Sequence, residues 1–252
     1  MKTKILFIAL MCSGILYAQT EQYRVIKVQG EIQRIKTGSL LSSGDQFESN
    51  ENLNFITDYS RAAIISPVKG RFILTAQGKS ENNASKVNFL PPMNNMSSRA
   101  TINSPADVIE FFSGDILFLD TDSLKYDPAK IQLDDNNYFS ISYMSETGSL
   151  KNKIAASNGA LVLQKNALFS TSAPKNVKIE YNAADGNVKS NDFTPVIPDK
   201  EKLIKEINLI ISNSSNTNRD AVVNDVASYL NDFYGKVSVA SVSSWMKSNM
   251  NY

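Results

Sequence analysis

The densest group of chemically useful side chains is a run of five carboxylates: Asp120, Asp122, Asp127, Asp134 and Asp135. Asp-x-Asp spacing can set two carboxylates on one side of a loop and so offer hard oxygen ligands to calcium. Here the pattern breaks, because Asp120-Thr121-Asp122-Ser123 continues into Leu124 and Lys125, where an EF-hand loop needs another oxygen ligand and a glycine. The group is therefore read as solvated turn residues between strands, with no metal assigned to it. A carboxylate pair for general acid and base work is its remaining chemical use.

Apart from a Ser-Lys nucleophile, which the fold would have to assemble, the other catalytic routes are closed by residue type. The chain has no His, and its single Cys is Cys12, so Ser-His-Asp triads, Cys-His pairs and His-ligated zinc have nothing to be built from. Gly30, Gly38, Gly44 and Gly70 each stand alone before strand-like sequence, which gives neither a phosphate loop nor a dinucleotide fingerprint. No catalytic residue and no cofactor is assigned, and the chain is expected not to be an enzyme.

Five aromatic residues are candidates for binding: Trp245, Tyr229, Phe233, Tyr138 and Tyr143. Trp245 is the only tryptophan, and tryptophan is enriched where protein partners bind tightly. The same residue on an amphipathic helix also suits a core. In Tyr138-Phe139-Ser140-Ile141-Ser142-Tyr143 the alternation puts Phe139, Ile141 and Tyr143 on one face, which calls for a core. A sugar platform among Tyr126, Tyr138, Phe139 and Tyr143 would instead need two or three tyrosines coplanar on an exposed face.

The elements that must position these residues fall into a β-rich α+β pattern. From Tyr23 to Thr75, short period-two runs punctuated by glycine predict antiparallel strands of a sandwich or small barrel. Residues 19–90 form the expected N-terminal β-domain and 91–106, with Pro91-Pro92, a linker or loop. Residues 107–198 form a second β segment, with strands expected at Val108–Phe112, Ile116–Leu119, Tyr138–Tyr143, Ala160–Leu163 and Val177–Tyr181. Residues 199–252 form a two- to three-helix module. Asp199 is placed to cap its first helix, Leu203, Ile207 and Ile210 recur at helical spacing, and Gly235 sits at a C-cap position. Lys200, Lys202, Lys205, Glu201 and Glu206 on that helix read as a solvated face.

Charge and the N-terminus bound the setting. With 26 Lys+Arg against 25 Asp+Glu, no excess of basic charge exists to track phosphates, so nucleic acid is not an expected partner. Lys2 and Lys4, the apolar run from Ile5 and the small Ala18 form the three-part layout of a secretory signal peptide over residues 1–18. Its apolar stretch is shorter than a bilayer span, so no stable membrane span is expected after cleavage. Export would place the protein in the periplasm, at the cell surface or outside the cell.

The stretch Val25-x-x-Val28-x-Gly30-x-Ile32, Gly38, Leu41-x-x-Gly44-Asp45, Leu53-x-Phe55 and Ser60-x-Ala62-x-Ile64 resembles the opening of FecR-like extracytoplasmic β-domains. That resemblance implies a non-catalytic β-domain outside the cytoplasm that takes part in protein contacts. Family regulators carry a cytoplasmic segment and a spanning helix first; here a cleavable signal leads directly into strands, so no anti-sigma role is implied. The expected function is an exported envelope protein that binds another protein through its β body and helical tail. The alternatives are a carbohydrate- or peptidoglycan-binding protein, and a secreted toxin, inhibitor or immunity partner.

Overall fold

The computed structural model describes residues 21–77, 86–90, 102–170, 174–214, 218–250 and 252. The expected signal peptide over 1–18 and residues 91–101 of the expected linker lie outside them. The fold is β-rich α+β: antiparallel sheets come first, helices close the chain, and no described sheet closes into a barrel. The chain divides into two compact units, residues 1–90 and 91–252.

The first unit holds β1 (Gln22–Gln29), β2 (Ile32–Arg34), β3 (Gln46–Glu48), β4 (Leu53–Phe55), β5 (Arg61–Ser66), β6 (Gly70–Gln77) and β7 (Lys86–Leu90). Five strands form a sheet in the order β3-β1-β5-β6-β7, and β2 pairs with β4 in a small second sheet. Alternation turns Tyr23 and Val25, Ala62 and Ile64, and Leu74 inward, onto Ile32, Leu53 and Phe55 of the small sheet. Between β1 and β2 the chain turns at Gly30, whose φ is +70° and where a Cβ would lie 2.6 Å from the Ser60 hydroxyl. That buried hydroxyl accepts the Glu31 N–H at 3.1 Å, so the turn requires both a positive φ and no side chain.

The free edge of β3 is blocked. Arg34 Nη2 donates to the Gln46 carbonyl at 2.6 Å, and the Glu48 carbonyl accepts the Glu51 N–H at 2.9 Å. Both outward carbonyls of the strand are thereby used, which deprives an incoming strand of acceptors along that edge.

The second unit runs α1 (Pro105–Phe111), β8 (Gly114–Leu117), β9 (Thr121–Lys125), β10 (Tyr138–Ser145), β11 (Gly148–Lys153), β12 (Ala155–Ser157), β13 (Ala160–Gln164), α2 (Lys165–Leu168), β14 (Lys175–Asn182) and β15 (Val188–Val196). The helices α3 (Lys200–Asn213), α4 (Arg219–Phe233) and α5 (Val239–Met250) follow. One sheet has the order β11-β10-β14-β15-β8, and a three-stranded sheet has the order β12-β13-β9. The β15–β8 pair is parallel, with Phe193 opposite Gly114 and Val196 opposite Leu117. Phe139, Ile141, Ile179, Phe118, Phe112 and Leu161 fill the core of this unit.

Val108–Phe111 is helical, with Phe112 as its C-cap, and not the strand that the apolar run Val108–Phe112 predicts. Ser104 accepts the Asp107 N–H, the Asp107 carboxylate accepts the Ser104 N–H, and Pro105 opens the first turn. This capping box with an N-terminal proline outweighs the β-propensity of a short run, and Val108, Ile109 and Phe112 share one buried helical face.

The tail forms as its caps and stripe predict: Asp199 accepts the Lys202 N–H, and Asn218 caps α4. It is joined to the β-structure by backbone bonds. Lys236 N donates to the Asp115 carbonyl at 2.9 Å, and Leu117 N donates to the Lys236 carbonyl at 3.0 Å, so Lys236 extends the sheet beyond β8 by one residue. Gly235 makes this approach possible: its φ is +126°, and a Cβ there would sit 2.5 Å from the Asp115 carbonyl oxygen. Among the described residues no helix is long and apolar enough to cross a membrane.

Candidate functional site

The structure places four of the five nominated aromatic side chains inside the protein. Trp245 is 4% exposed and Tyr229 0%; Phe233 stacks on Tyr229 with ring centroids 5.6 Å apart. Tyr143 lies in the second core, and its hydroxyl meets Ser170. These residues pack the interior, because the same helical and strand spacing that made them conspicuous aims them there. Tyr138 alone is half-buried, on the opposite face of β10 from Phe139. Phe139 and Tyr143 being core residues, no coplanar platform forms on that strand.

The five aspartates do not converge, and among the described residues no group of three or more acidic, His or Cys side chains could hold a metal ion. Asp120 faces Lys165 at 3.7 Å and Lys200 at 3.5 Å. Asp127 accepts the Ala129 N–H. Asp134 accepts the N–H groups of Asn137 and Asn136, which hold its carboxyl below its usual range.

Asp122 differs from the rest. It lies on β9, two residues before Leu124, so strand alternation carries it to the buried face. Only 5% of it is exposed. Burial pushes its carboxyl up to about 6, against the pull of the Leu119 N–H and the Ser241 hydroxyl and with a further push from Asp120. Glu206 is likewise not the solvated side chain its lysine neighbours suggest. It is 7% exposed, and its Oε2 accepts the hydroxyls of Tyr229 and Tyr234, each at 2.6 Å. Its position three residues after Leu203 and four before Ile210 puts it on the apolar stripe, which was the signal available in the sequence.

The surface of the first unit carries the feature that sequence reading missed. β2 pairs with β4 in the register Ile32–Phe55, Gln33–Asn54 and Arg34–Leu53, and Gln33 also bridges Leu40. Ile32, Leu53 and Phe55 face the core, so Leu40, with Ile35 and Ile56 by alternation, lies on the outward face. The exposures are 47% for Ile35, 51% for Leu40 and 48% for Ile56. Ile35 also borders a groove of about 760 Å³ lined by Arg34, Lys36, Phe47, Glu48 and Glu51. On this face Ile35, Leu40 and Ile56 stand around the polar pair Gln33–Asn54, a mixed surface of exposed apolar side chains and amides that suits a complementary protein surface.

A smaller pocket of about 390 Å³ lies in the second unit, lined by Asp134, Asp135, Tyr138, Lys153 and Ala155. Lys153 bonds Asp135 at 3.0 Å and covers the Tyr138 ring at 4.9 Å from its centroid. No family model, curated protein or solved structure matches the chain.

Proposed function

We propose that the protein is an exported, non-catalytic component of a bacterial cell envelope that binds another protein through its β body. The observation that carries this reading is the outward face of β2 and β4, where Ile35, Leu40 and Ile56 stand about half exposed on a folded sheet. The signal-peptide layout of residues 1–18 supports export, and the resemblance of residues 25–64 to FecR-like β-domains supports a role in protein contacts. The helical tail would add a polar contact surface, through outer positions such as Lys205 and Asn224, since its aromatic side chains are inside.

The test is in-cell crosslinking of the tagged protein, wild type against an Ile35→Ser, Leu40→Ser, Ile56→Ser variant, with captured proteins identified by mass spectrometry. One dominant protein captured by wild type and lost in the folded variant supports the reading. Capture that is identical in both removes this face from the proposal.

A second reading, binding of a carbohydrate or peptidoglycan fragment, draws on the pocket beside Tyr138. There the Asp135 carboxylate and a half-buried aromatic ring border a space of ligand size. The covering of that ring by Lys153 makes it the weaker reading. Retention on immobilised peptidoglycan that is abolished by Tyr138→Ala would favour it over the first.

A further inference from the structure

Where the second unit's β-structure meets the tail, one carboxylate is buried without a counter-ion. Asp122 Oδ2 accepts the Leu119 N–H at 2.8 Å, while Oδ1 is buried with no hydrogen-bond partner. The Ser241 hydroxyl, from the first turn of α5, is close enough to favour the anion but outside bonding geometry to Oδ1. Around the pair, Ser123 N donates to Ser241 Oγ at 3.1 Å and Ser238 Oγ donates to the Ser123 carbonyl at 3.2 Å. These bonds from strand β9 to the start of α5 are the polar part of the tail's seat. The remaining wall is apolar, from Phe111, Ile116, Leu124 and Leu163, and borders a small recess of about 10 Å³.

The charged groups around Asp122 do not neutralise it. Asp120, in the turn between β8 and β9, repels it and is itself occupied by Lys165 and Lys200. Lys236 lines the same recess, but its ammonium is held by the Phe111 carbonyl at 3.3 Å and Ser113 Oγ at 2.6 Å. α5 brings hydroxyls to this point. An ionised carboxylate with an unpartnered oxygen in such a place is costly to bury, whereas a protonated one has no charge to desolvate.

We infer that Asp122 is a proton-operated latch for the helical tail: protonated, it is an uncharged group that can stay buried beneath the start of α5, and ionised, it is an anion with one unpartnered oxygen that loosens the seat of α5 on β9. The sign follows from burial, since a carboxyl whose proton is held more tightly in the folded chain adds stability in acid. That contribution is complete below about 3.8, the ordinary value, and is lost as the pH rises through about 6. The tail would then sit tightest in a mildly acidic medium and open more readily at neutral pH and above.

The test is amide hydrogen exchange on the full folded protein at pH 5 and pH 8, corrected for intrinsic rates, for wild type and Asp122→Asn. Asparagine can still accept the Leu119 N–H and is neutral at both pH values. In wild type, the protection of α5 amides relative to those of β14 should fall by about tenfold or more between the two conditions, the ratio that one pKa unit represents. In Asp122→Asn it should not fall. Equal loss in both proteins, or loss in neither, overturns the latch. Should the variant fail to fold, wild type alone decides: loss of α5 protection that follows the NMR titration of the Asp122 carboxyl carbon across pH 5 to 8 upholds the latch, and a midpoint near 4 or protection that does not follow the titration overturns it.

Discussion

Tyr229, on α4, donates its hydroxyl to Glu206, on α3, at 2.6 Å, and Tyr234 donates to the same oxygen at the same distance. One buried carboxylate oxygen thus fastens the end of α4 to the middle of α3. Tyr229→Phe leaves the ring packing intact and removes one charge-assisted bond, so it should destabilise the protein by about 1.5–3 kcal/mol. Denaturant unfolding of Tyr229→Phe, Tyr234→Phe and the double variant checks this, with non-additive losses expected because both bonds share one acceptor.

Alkaline pH probes the same bond from the other partner. Burial first, and then the bond to Glu206, raise the Tyr234 phenol well above 10, its ordinary value. The unfolded chain therefore releases this proton first, and the contribution to stability is present below 10 and lost as the pH rises beyond it. Ultraviolet titration should show that Tyr234 is among the tyrosines that ionise only with unfolding. A Tyr234→Phe protein should show one late-titrating tyrosine fewer.

Gly235 separates two costs that are usually merged. Gly186, at φ +80°, has nothing within 4 Å of where a Cβ would lie, while Gly235 meets the Asp115 backbone at 2.5 Å. Gly186→Ala should cost about 1–2 kcal/mol from backbone conformation alone. Gly235→Ala should cost several kcal/mol more, on the order of an overpacked core site. It must push Lys236 off the edge of β8. Thermal unfolding of the two variants measures the difference.

Removing residues 199–252 should not leave a soluble β body. The deletion takes away the partners of the Asp115 carbonyl and the Leu117 N–H and of the Ser123 N–H. Each loss costs about 1 kcal/mol, and the apolar side chains packed beneath the tail become exposed. Aggregation on expression is the expected outcome, read by light scattering. A monomeric truncated protein with native-like circular dichroism would contradict it.

Arg34→Ala should change association more than stability. The guanidinium that occupies the Gln46 carbonyl also pairs with Glu51 at 3.3 Å, and its loss uncovers the outer edge of β3. Concentration-dependent dimers or larger species in size-exclusion chromatography are expected for the variant and not for wild type.

Much of this architecture was legible because it rests on local rules. Glycine-punctuated alternation marked β1, β2, β4, β5 and β6, while the three-residue β3 around Phe47 was too short to show it, and Asp199 with its stripe marked α3. Two misreadings had one cause, a charged residue judged by its neighbours in sequence and not by its periodicity: Asp122 shares a strand face with Leu124, and Glu206 lies on the stripe of Leu203 and Ile210. The outward face of β2 and β4 was harder to see. Ile35, Leu40 and Ile56 look like core residues until the register with β4 shows which side is already filled. The parallel β15–β8 pair was not readable either, because its register depends on residues some eighty positions apart in the chain.

That pair also bears on the order of folding. β8 lies between β15, which follows it by a long loop of chain, and Lys236, which arrives later still. A strand whose two neighbours both come from downstream must wait, as loop closure over such separations is slow. The second unit therefore acquires a fully paired β8 only after residue 236 is available, whereas the hairpins of the first unit can form from contiguous sequence. During synthesis the N-terminal half can mature on its own schedule, and the C-terminal half completes in one late step.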